Sequence, residues 1–370
     1  MRYSLPLQCV RPRAGAAAAR GWSPRTKGAA ARSALFPRWP LRPATPAAFP
    51  EAAAIFARDR TVSSPKRVAE HPPFSQQRRA RAMRAAVIGV GAMGRAMAGH
   101  MVKAGHEVFT NDVDEAALAA SAETGATPVS DLAALAPKAE LFVVVVVSDD
   151  QSRTVTRALL DAGAAPGSVI AIAATNHPDT MRELGAECAA KGVGFIDAPV
   201  VYGLQGAING ELGSLCGGAA EHVEKARPGL DAYSRFVEHV GPLGAGQLAK
   251  TCNNMLHWAA CVANYEVLLL AKRYGVDAQH MREVLLKCPG KNLTLERWDG
   301  TKFTWHEKDM DVALDLAQHA RAPLPLFGQV DQLVKTLGPD MVKALLYGPE
   351  AEYLGARFGA MTPEEGALSD

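Results

Sequence analysis

The stretch "RAAVIGVGAMGRAMAGHMVKAGHEVFTND" (Arg84–Asp112) decides the fold. It opens on an apolar, β-branched run, Arg84–Val90, of strand length. The pattern G-x-G-x-x-G follows at once as Gly89, Val90, Gly91, Ala92, Met93 and Gly94. Ala92–Gly105 has helical spacing and stops at a glycine suited to a helix C-cap. His106–Asp112 is a second strand. In this setting Gly89 permits a tight turn, Gly91 lets a pyrophosphate approach the backbone, and Gly94 lets helix and strand pack closely. The N–H groups around Val90, Ala92 and Met93, at the start of the helix, are placed to meet an anion. A purely structural glycine turn is the competing reading. The second strand ends at Asp112, 23 residues after Gly89, near the spacing of the carboxylate that binds a ribose 2′-OH. Val113 comes next, where a 2′-phosphate would need an arginine, so NAD is favoured over NADP. The alternative is that Asn111 and Asp112 only form a turn.

Outward from this unit the same alternation continues. Asp114–Gly125 is a helix with an acidic start and a glycine stop. Leu141–Val147, Ser168–Ala174 and Gly192–Val200 are apolar runs of strand length, suited to a parallel sheet covered on both faces. After about Gly244 no strand is expected. Gly246–Gly275 runs nearly thirty residues without Pro or internal Gly, a helix of about 40 Å at 1.5 Å per residue, apolar enough to be buried on several faces. The expected organisation is therefore an α/β Rossmann-type domain at 84–244 and an all-α domain at 245–370, built on that long central helix.

Residues 1–83 differ in kind. They hold 16 Lys and Arg against three acids, Glu51, Asp59 and Glu70, a formal +13 that leaves −11 for the rest of a chain of overall charge +2. Rich in Ala, Arg and Pro and without apolar period, they are expected to be disordered. One reading is an organellar transit peptide, which would place the protein in the mitochondrial matrix. The other is a spurious upstream extension before a natural start at Met83, with the enzyme in the cytoplasm. The acidic remainder argues against a nucleic-acid partner. No apolar run approaches the ~20 residues of a membrane span. Six scattered cysteines without C-x-x-C fit a reducing compartment rather than a disulfide framework.

A second signal is "GAGQLAKTCNNM" (Gly244–Met255). Lys250 and Asn254 are four apart on a helix and share a face. A lysine among Leu248, Met255 and Leu256 is expected to be partly desolvated, which lowers its pKa and fits it to exchange a proton with a hydroxyl. Asn254 can hold the same oxygen. By spacing alone, a lysine snorkelling at a helix end explains the pattern equally well. His257 and Trp258 follow by two turns and read first as packing residues. Trp298, Phe303, Trp305 and His306 form either an aromatic wall over a substrate or ordinary helix packing. His306 and Asp309 share a face but lack further metal-ligand spacing, so no metal site is assigned.

Together these residues make the chain resemble the β-hydroxyacid dehydrogenase family, which includes 3-hydroxyisobutyrate dehydrogenase, tartronate semialdehyde reductase and 6-phosphogluconate dehydrogenase. The similarity runs in order from Arg84 to the C-terminus. "GAGQLAKTCNN" matches the family's G-x-G-x-x-x-K-x-x-N-N, which implies Lys250 as the catalytic lysine and Asn254 as its partner. "ATNHP" (Ala174–Pro178) stands where the family has Ser-Thr-x-x-Pro beside the nicotinamide, so Thr175 matches its Thr. "KDM" (Lys308–Met310) resembles the late Lys-Asp pair whose lysine lies near cofactor and substrate. The resemblance further implies Val147 and Ser148 at the cofactor. The expected activity is NAD(P)-dependent interconversion of an alcohol, a hydroxy acid or related compound, and its carbonyl. A same-fold imine reductase and a non-catalytic nucleotide sensor are the alternatives. The first usually lacks the helix lysine, and the second would lose Lys250 and Asn254. The partner is a small molecule, and a homodimer or homotetramer is expected.

The chain departs from the family in "DAPVVYGLQGAINGEL" (Asp197–Leu212). The family reads D-A-P-V-S-G-G-x-x-G-A-x-x-G-x-L, and its Ser-Gly-Gly cradles the substrate carboxylate. Here Val201 and Tyr202 replace Ser-Gly, while Gly203 stays in register. Val201 removes a hydroxyl donor, and Tyr202 adds a ring and a phenol. Because Tyr resists φ > 0, the loop is expected to be reshaped. A bulkier or differently polarised substrate is implied for Val201, Tyr202, Gly203, Lys250 and Asn254 to bind. The alternative is that Tyr202 is a core plug.

Overall fold

The computed structural model describes residues 81–368, so the expectation of a disordered leader lies, but for its last three residues, outside the described residues. The first strand, β1 (Arg84–Ile88), is buried from Ala85 onward and pairs in parallel with β2 (Glu107–Asn111) and β4 (Leu141–Val144). A short β3 (Thr127–Pro128) flanks β2, and β5 (Val169–Ile172) and β6 (Gly194–Asp197) extend the other side. The resulting parallel order β3-β2-β1-β4-β5-β6 reverses direction of winding between β1 and β4. That reversal opens the crevice in which doubly wound sheets bind ligands. Every residue of β4, β5 and β6 is buried. Two apolar clusters cover the two faces, one around Val87, Met97 and Val143, the other around Ile88, Phe142 and Ile172. The chain therefore has an α/β Rossmann-type N-terminal part.

Besides the short β3, three strands of this sheet were not foreseen. β7 (Val200–Val201) and β8 (Leu212–Gly218) pair antiparallel, β8 also runs antiparallel to β6, and β9 (Ser234–Gly241) lies parallel to β8. "LGSLCGG" has little strand propensity; tertiary packing makes it a strand. A Cβ on Gly213 would sit 2.2 Å from the Phe236 ring of β9, and one on Gly217 would sit 2.5 Å from the Asp197 carboxylate.

The C-terminal part is helical and built on one helix of 29 residues, Ala245–Arg273. Trp258, Cys261, Tyr265 and Leu268 form its core with Leu295, Trp298, Met310 and Val334. In the single chain that helix is not buried on every side, since Leu256, Val267 and Leu270 are exposed. Strands do not end at Gly244. Ala351–Tyr353 and Ala356–Phe358 form a two-stranded antiparallel hairpin. Its turn residues Leu354 and Gly355 both have positive φ, 52° and 78°, the type I′ requirement that matches strand twist.

Candidate active site

The residues expected to hold a nucleotide all lie at the carboxyl edge of the parallel strands. Gly89 turns with φ 90°, and a Cβ there would meet the Val145 carbonyl at 2.3 Å; one on Gly94 would meet the Gly89 carbonyl at 1.9 Å. These two glycines are demanded by the fold itself. Gly91 is different. It caps the helix Ala92–Lys103 with no side-chain hydrogen bond, and a Cβ there would find nothing within 4 Å. With Ala92 exposed and Met93 half-buried, the first N–H groups of this helix face a space fit for a pyrophosphate. Asp112, after β2, accepts the Val90 N–H at 2.7 Å and the Asp114 N–H at 2.9 Å. Its carboxylate thus stands against the glycine loop and also makes the turn that was the alternative reading. Ser148, after β4, caps the helix Asp149–Asp161, beside the exposed Val147. Thr175 follows β5. Lys308, on the helix His306–Ala320, reaches across and donates to the carbonyls of Val147 at 2.7 Å and Thr175 at 2.9 Å. Burial holds its pKa below the usual lysine range against the pull of Asp149 and Asp309.

The long helix is fastened at its start by residues from the sheet. The buried Asp197, last in β6, accepts the N–H groups of Gly244 at 2.7 Å and Gln247 at 2.8 Å, capping the helix from a distant strand. Burial nonetheless pushes the Asp197 carboxyl upward. The Gln247 amide donates to the Ala174 carbonyl at 2.8 Å and accepts the Asn176 N–H at 2.9 Å. The helix is therefore tied to the loop bearing Thr175, and Lys250 follows one turn later.

Around Lys250 the structure assembles a buried polar group. Burial lowers the Lys250 pKa, opposed by the charge of Asp309. Leu248 and Leu256, expected to desolvate it, are exposed instead; they project from the helix away from this face. Asn254 is buried close to the Asp309 carboxyl and helps to lower its pKa. Trp258, one turn further, donates its Nε1–H to Asp309 Oδ2 at 3.0 Å, so it walls the site rather than merely packing. Burial raises the Asp309 pKa despite these neighbours and the two lysines. For Lys250 and Asp309 alike, desolvation outweighs mutual attraction. His257 shares a 2.9 Å hydrogen bond with Thr294 Oγ1 and is pushed down to about 4 by burial and then by Lys250, so it stays neutral at physiological pH.

Asp309 was passed over in the sequence as a rejected metal ligand, although its neighbour Lys308 was singled out. The aromatic cluster divides. Phe303 and His306 pack against Trp258, Trp298 lies in the core against Tyr265, and Trp305 is exposed.

Val201 is buried and pairs with Gly213. Tyr202, expected to resist φ > 0, itself adopts φ 80°, ψ 1°, and Gly203 follows at φ 62°. Tyr202 is not a core plug. It is half-buried, its ring edge-on to Phe236 with centroids 6.4 Å apart. The guanidinium of Arg235 lies 5.4 Å, and that of Arg297 5.9 Å, from its centroid.

Residues 84–241 match the family model for the NAD-binding domain of 6-phosphogluconate dehydrogenase, and residues 244–344 that for the NAD-binding region of NADP-dependent 3-hydroxyisobutyrate dehydrogenase. The chain is 33% identical over 260 residues to an uncharacterized oxidoreductase of Shewanella frigidimarina, covering 67% of this chain and 89% of that protein. It is 32% identical over 260 residues to 3-hydroxyisobutyrate dehydrogenase of Pseudomonas aeruginosa, covering 65% and 87%. The solved structure of Mycobacterium tuberculosis 3-hydroxyisobutyrate dehydrogenase with L-serine superposes with a TM-score of 0.64 at 25% identity, covering 69% of this chain and 93% of that one.

Proposed function

The chain belongs to the β-hydroxyacid dehydrogenase family, as an NAD(P)-dependent oxidoreductase acting on CH–OH groups of small molecules, and we propose that Lys250 is its acid–base group and NAD its preferred cofactor. The observation that carries this reading is the set Lys250, Asn254 and Asp309. Lys250 and Asn254 share a face of the long helix against Asp309 of the helix His306–Ala320, and the set is tied through Gln247 and Lys308 to the loops at the nucleotide edge. A nicotinamide held there would supply the hydride chemistry, accepting hydride in alcohol oxidation and giving it in carbonyl reduction. In oxidation the neutral amine of Lys250 takes the hydroxyl proton; in reduction its ammonium returns one. Burial makes the neutral form accessible, while Asp309 keeps the ammonium from being lost altogether. Asn254, close to Asp309, orients the reacting oxygen.

Asp112 supports NAD over NADP, because its carboxylate stands against the glycine loop, where its charge would repel a 2′-phosphate, and Val113 beside it is fully exposed and apolar. Gly91, Ala92, Met93, Ser148 and Thr175 line the nucleotide in this reading, with Lys308 fixing two of the loops. Val201, Tyr202 and Gly203 border the substrate. The exposed apolar residues of the long helix, Leu256, Val267 and Leu270, support a homo-oligomer that covers them. Five cysteines among the described residues are free, which supports a reducing compartment such as the cytoplasm. No helix among the described residues is long and apolar enough to cross a membrane.

The test is nicotinamide absorbance with NAD+ and NADP+ against hydroxy acids such as 3-hydroxyisobutyrate and L-serine, and against sugar acids. Turnover of a hydroxy acid, better with NAD+, is the expected result. Tight NADH binding without turnover of any would favour a nucleotide sensor instead.

A further inference from the structure

In the segment Val201–Gly203 the Tyr202 phenol is the one side-chain hydroxyl, and two cations approach its ring. Arg235 is the second residue of β9, and Arg297 follows the short helix Leu293–Glu296. Both guanidinium groups lie within 6 Å of the Tyr202 ring centroid. Both residues are exposed. Among the described residues neither donates to a carboxylate, although residues 84–370 carry a formal −11. Arg153, Arg157, Arg227 and Arg282, by contrast, each hold at least one acid. A guanidinium left without an anion attracts any anion that enters.

The ring that collects them is held in a costly conformation. Tyr202 sits at φ 80°, which an L-residue adopts at roughly 1–2 kcal/mol. Strain of this kind persists where the surroundings impose it and collects at ligand-binding positions. Lys308, at the nucleotide edge, donates to two backbone carbonyls. His257 lies two turns beyond Lys250 on the same face of the long helix and hydrogen-bonds Thr294, and Arg297 follows Thr294 within one turn.

We infer that Arg235 and Arg297, set by the Tyr202 ring, form an anion clamp at the outer end of the substrate site. The substrate is then a hydroxy compound carrying a carboxylate or similar oxyanion on an arm pointing away from the reacting carbon. Guanidinium forks suit such groups because they donate in pairs. This rests on the dehydrogenase reading given above.

The experiment compares two 2-hydroxymethyl acids on the whole chain with NAD+. One is 2-(hydroxymethyl)succinate, whose arm ends in a carboxylate; the other is 2-(hydroxymethyl)butanoate, whose arm ends in a methyl. The expected result is a kcat/KM at least tenfold higher for the charged arm. Arg297→Gln and Arg235→Gln should each bring that ratio toward one by raising KM for the charged arm, and Arg297→Lys should restore part of it. NADH binding by each variant reports that it is folded. Turnover of the methyl-armed acid with no preference for the charged one, or an unchanged ratio in both Gln variants, overturns the clamp and leaves the dehydrogenase reading standing. Failure of every hydroxy acid to react, with NADH bound, overturns both.

Discussion

Replacing Tyr202 by alanine and by glycine separates its backbone from its ring. Alanine removes the ring but keeps a Cβ at φ 80°; glycine removes both. The ring's contacts are one edge-to-face partner, Phe236 at 6.4 Å, and two guanidinium groups at 5.4 and 5.9 Å. An aromatic pair contributes about 0.5–1.5 kcal/mol and an exposed cation–π contact about 0.5–1 kcal/mol. Tyr202→Ala is therefore expected to destabilise by about 1.5–3.5 kcal/mol. Tyr202→Gly loses the same contacts but regains about 1 kcal/mol of left-handed strain, so it should be the more stable of the two. At an ordinary negative φ the order is the reverse, with alanine ahead by about 0.4–1 kcal/mol. Urea unfolding of the two variants, fitted with a common slope, reads the difference. Alanine equal to or more stable than glycine would refute the left-handed assignment and the strain argument built on it.

Gly91→Ala should leave the unliganded protein within about 0.5 kcal/mol yet weaken NADH binding strongly. Gly94→Ala, whose Cβ would lie 1.9 Å from the Gly89 carbonyl, should lower the melting temperature before any ligand is added; calorimetry with and without NADH distinguishes them. Asp112→Ser should cost about tenfold in NADH affinity, about 1.4 kcal/mol, and narrow the preference over NADPH; fluorescence titration with both nucleotides measures it, and an unchanged preference would contradict the role of Asp112. Asp309→Asn keeps an acceptor for Trp258 but removes a negative charge that favours the Lys250 ammonium. The lysine then loses its proton more readily, so the rate of alcohol oxidation should reach its plateau at lower pH. A profile that stays in place or moves to higher pH would contradict the coupling.

β1, β4, β5 and β6 were legible because each is a largely apolar run, and β1 with its glycines fixed the crevice. β8 was not, since its glycines carry no strand preference and are placed by the Phe236 ring and the Asp197 carboxylate. Lys250 and Asn254 were legible as a helical i, i+4 pair, but the cause of the lysine's desolvation was not. Periodicity named Leu248 and Leu256, which packing leaves exposed, and the buried neighbours Asp309 and Trp258 come from where two helices meet. Tyr202 was visible as a departure, but its consequence lay in Arg235 and Arg297, 62 positions apart in the chain and brought together only by the fold.

The central claim, proton transfer by Lys250 beside a bound nicotinamide, is tested most directly by Lys250→Met. NADH should bind with unchanged affinity while hydroxy-acid turnover falls by about 10²–10⁴-fold, the usual contribution of a positioned acid–base group. Full turnover by this variant on a substrate of the wild-type enzyme would contradict it.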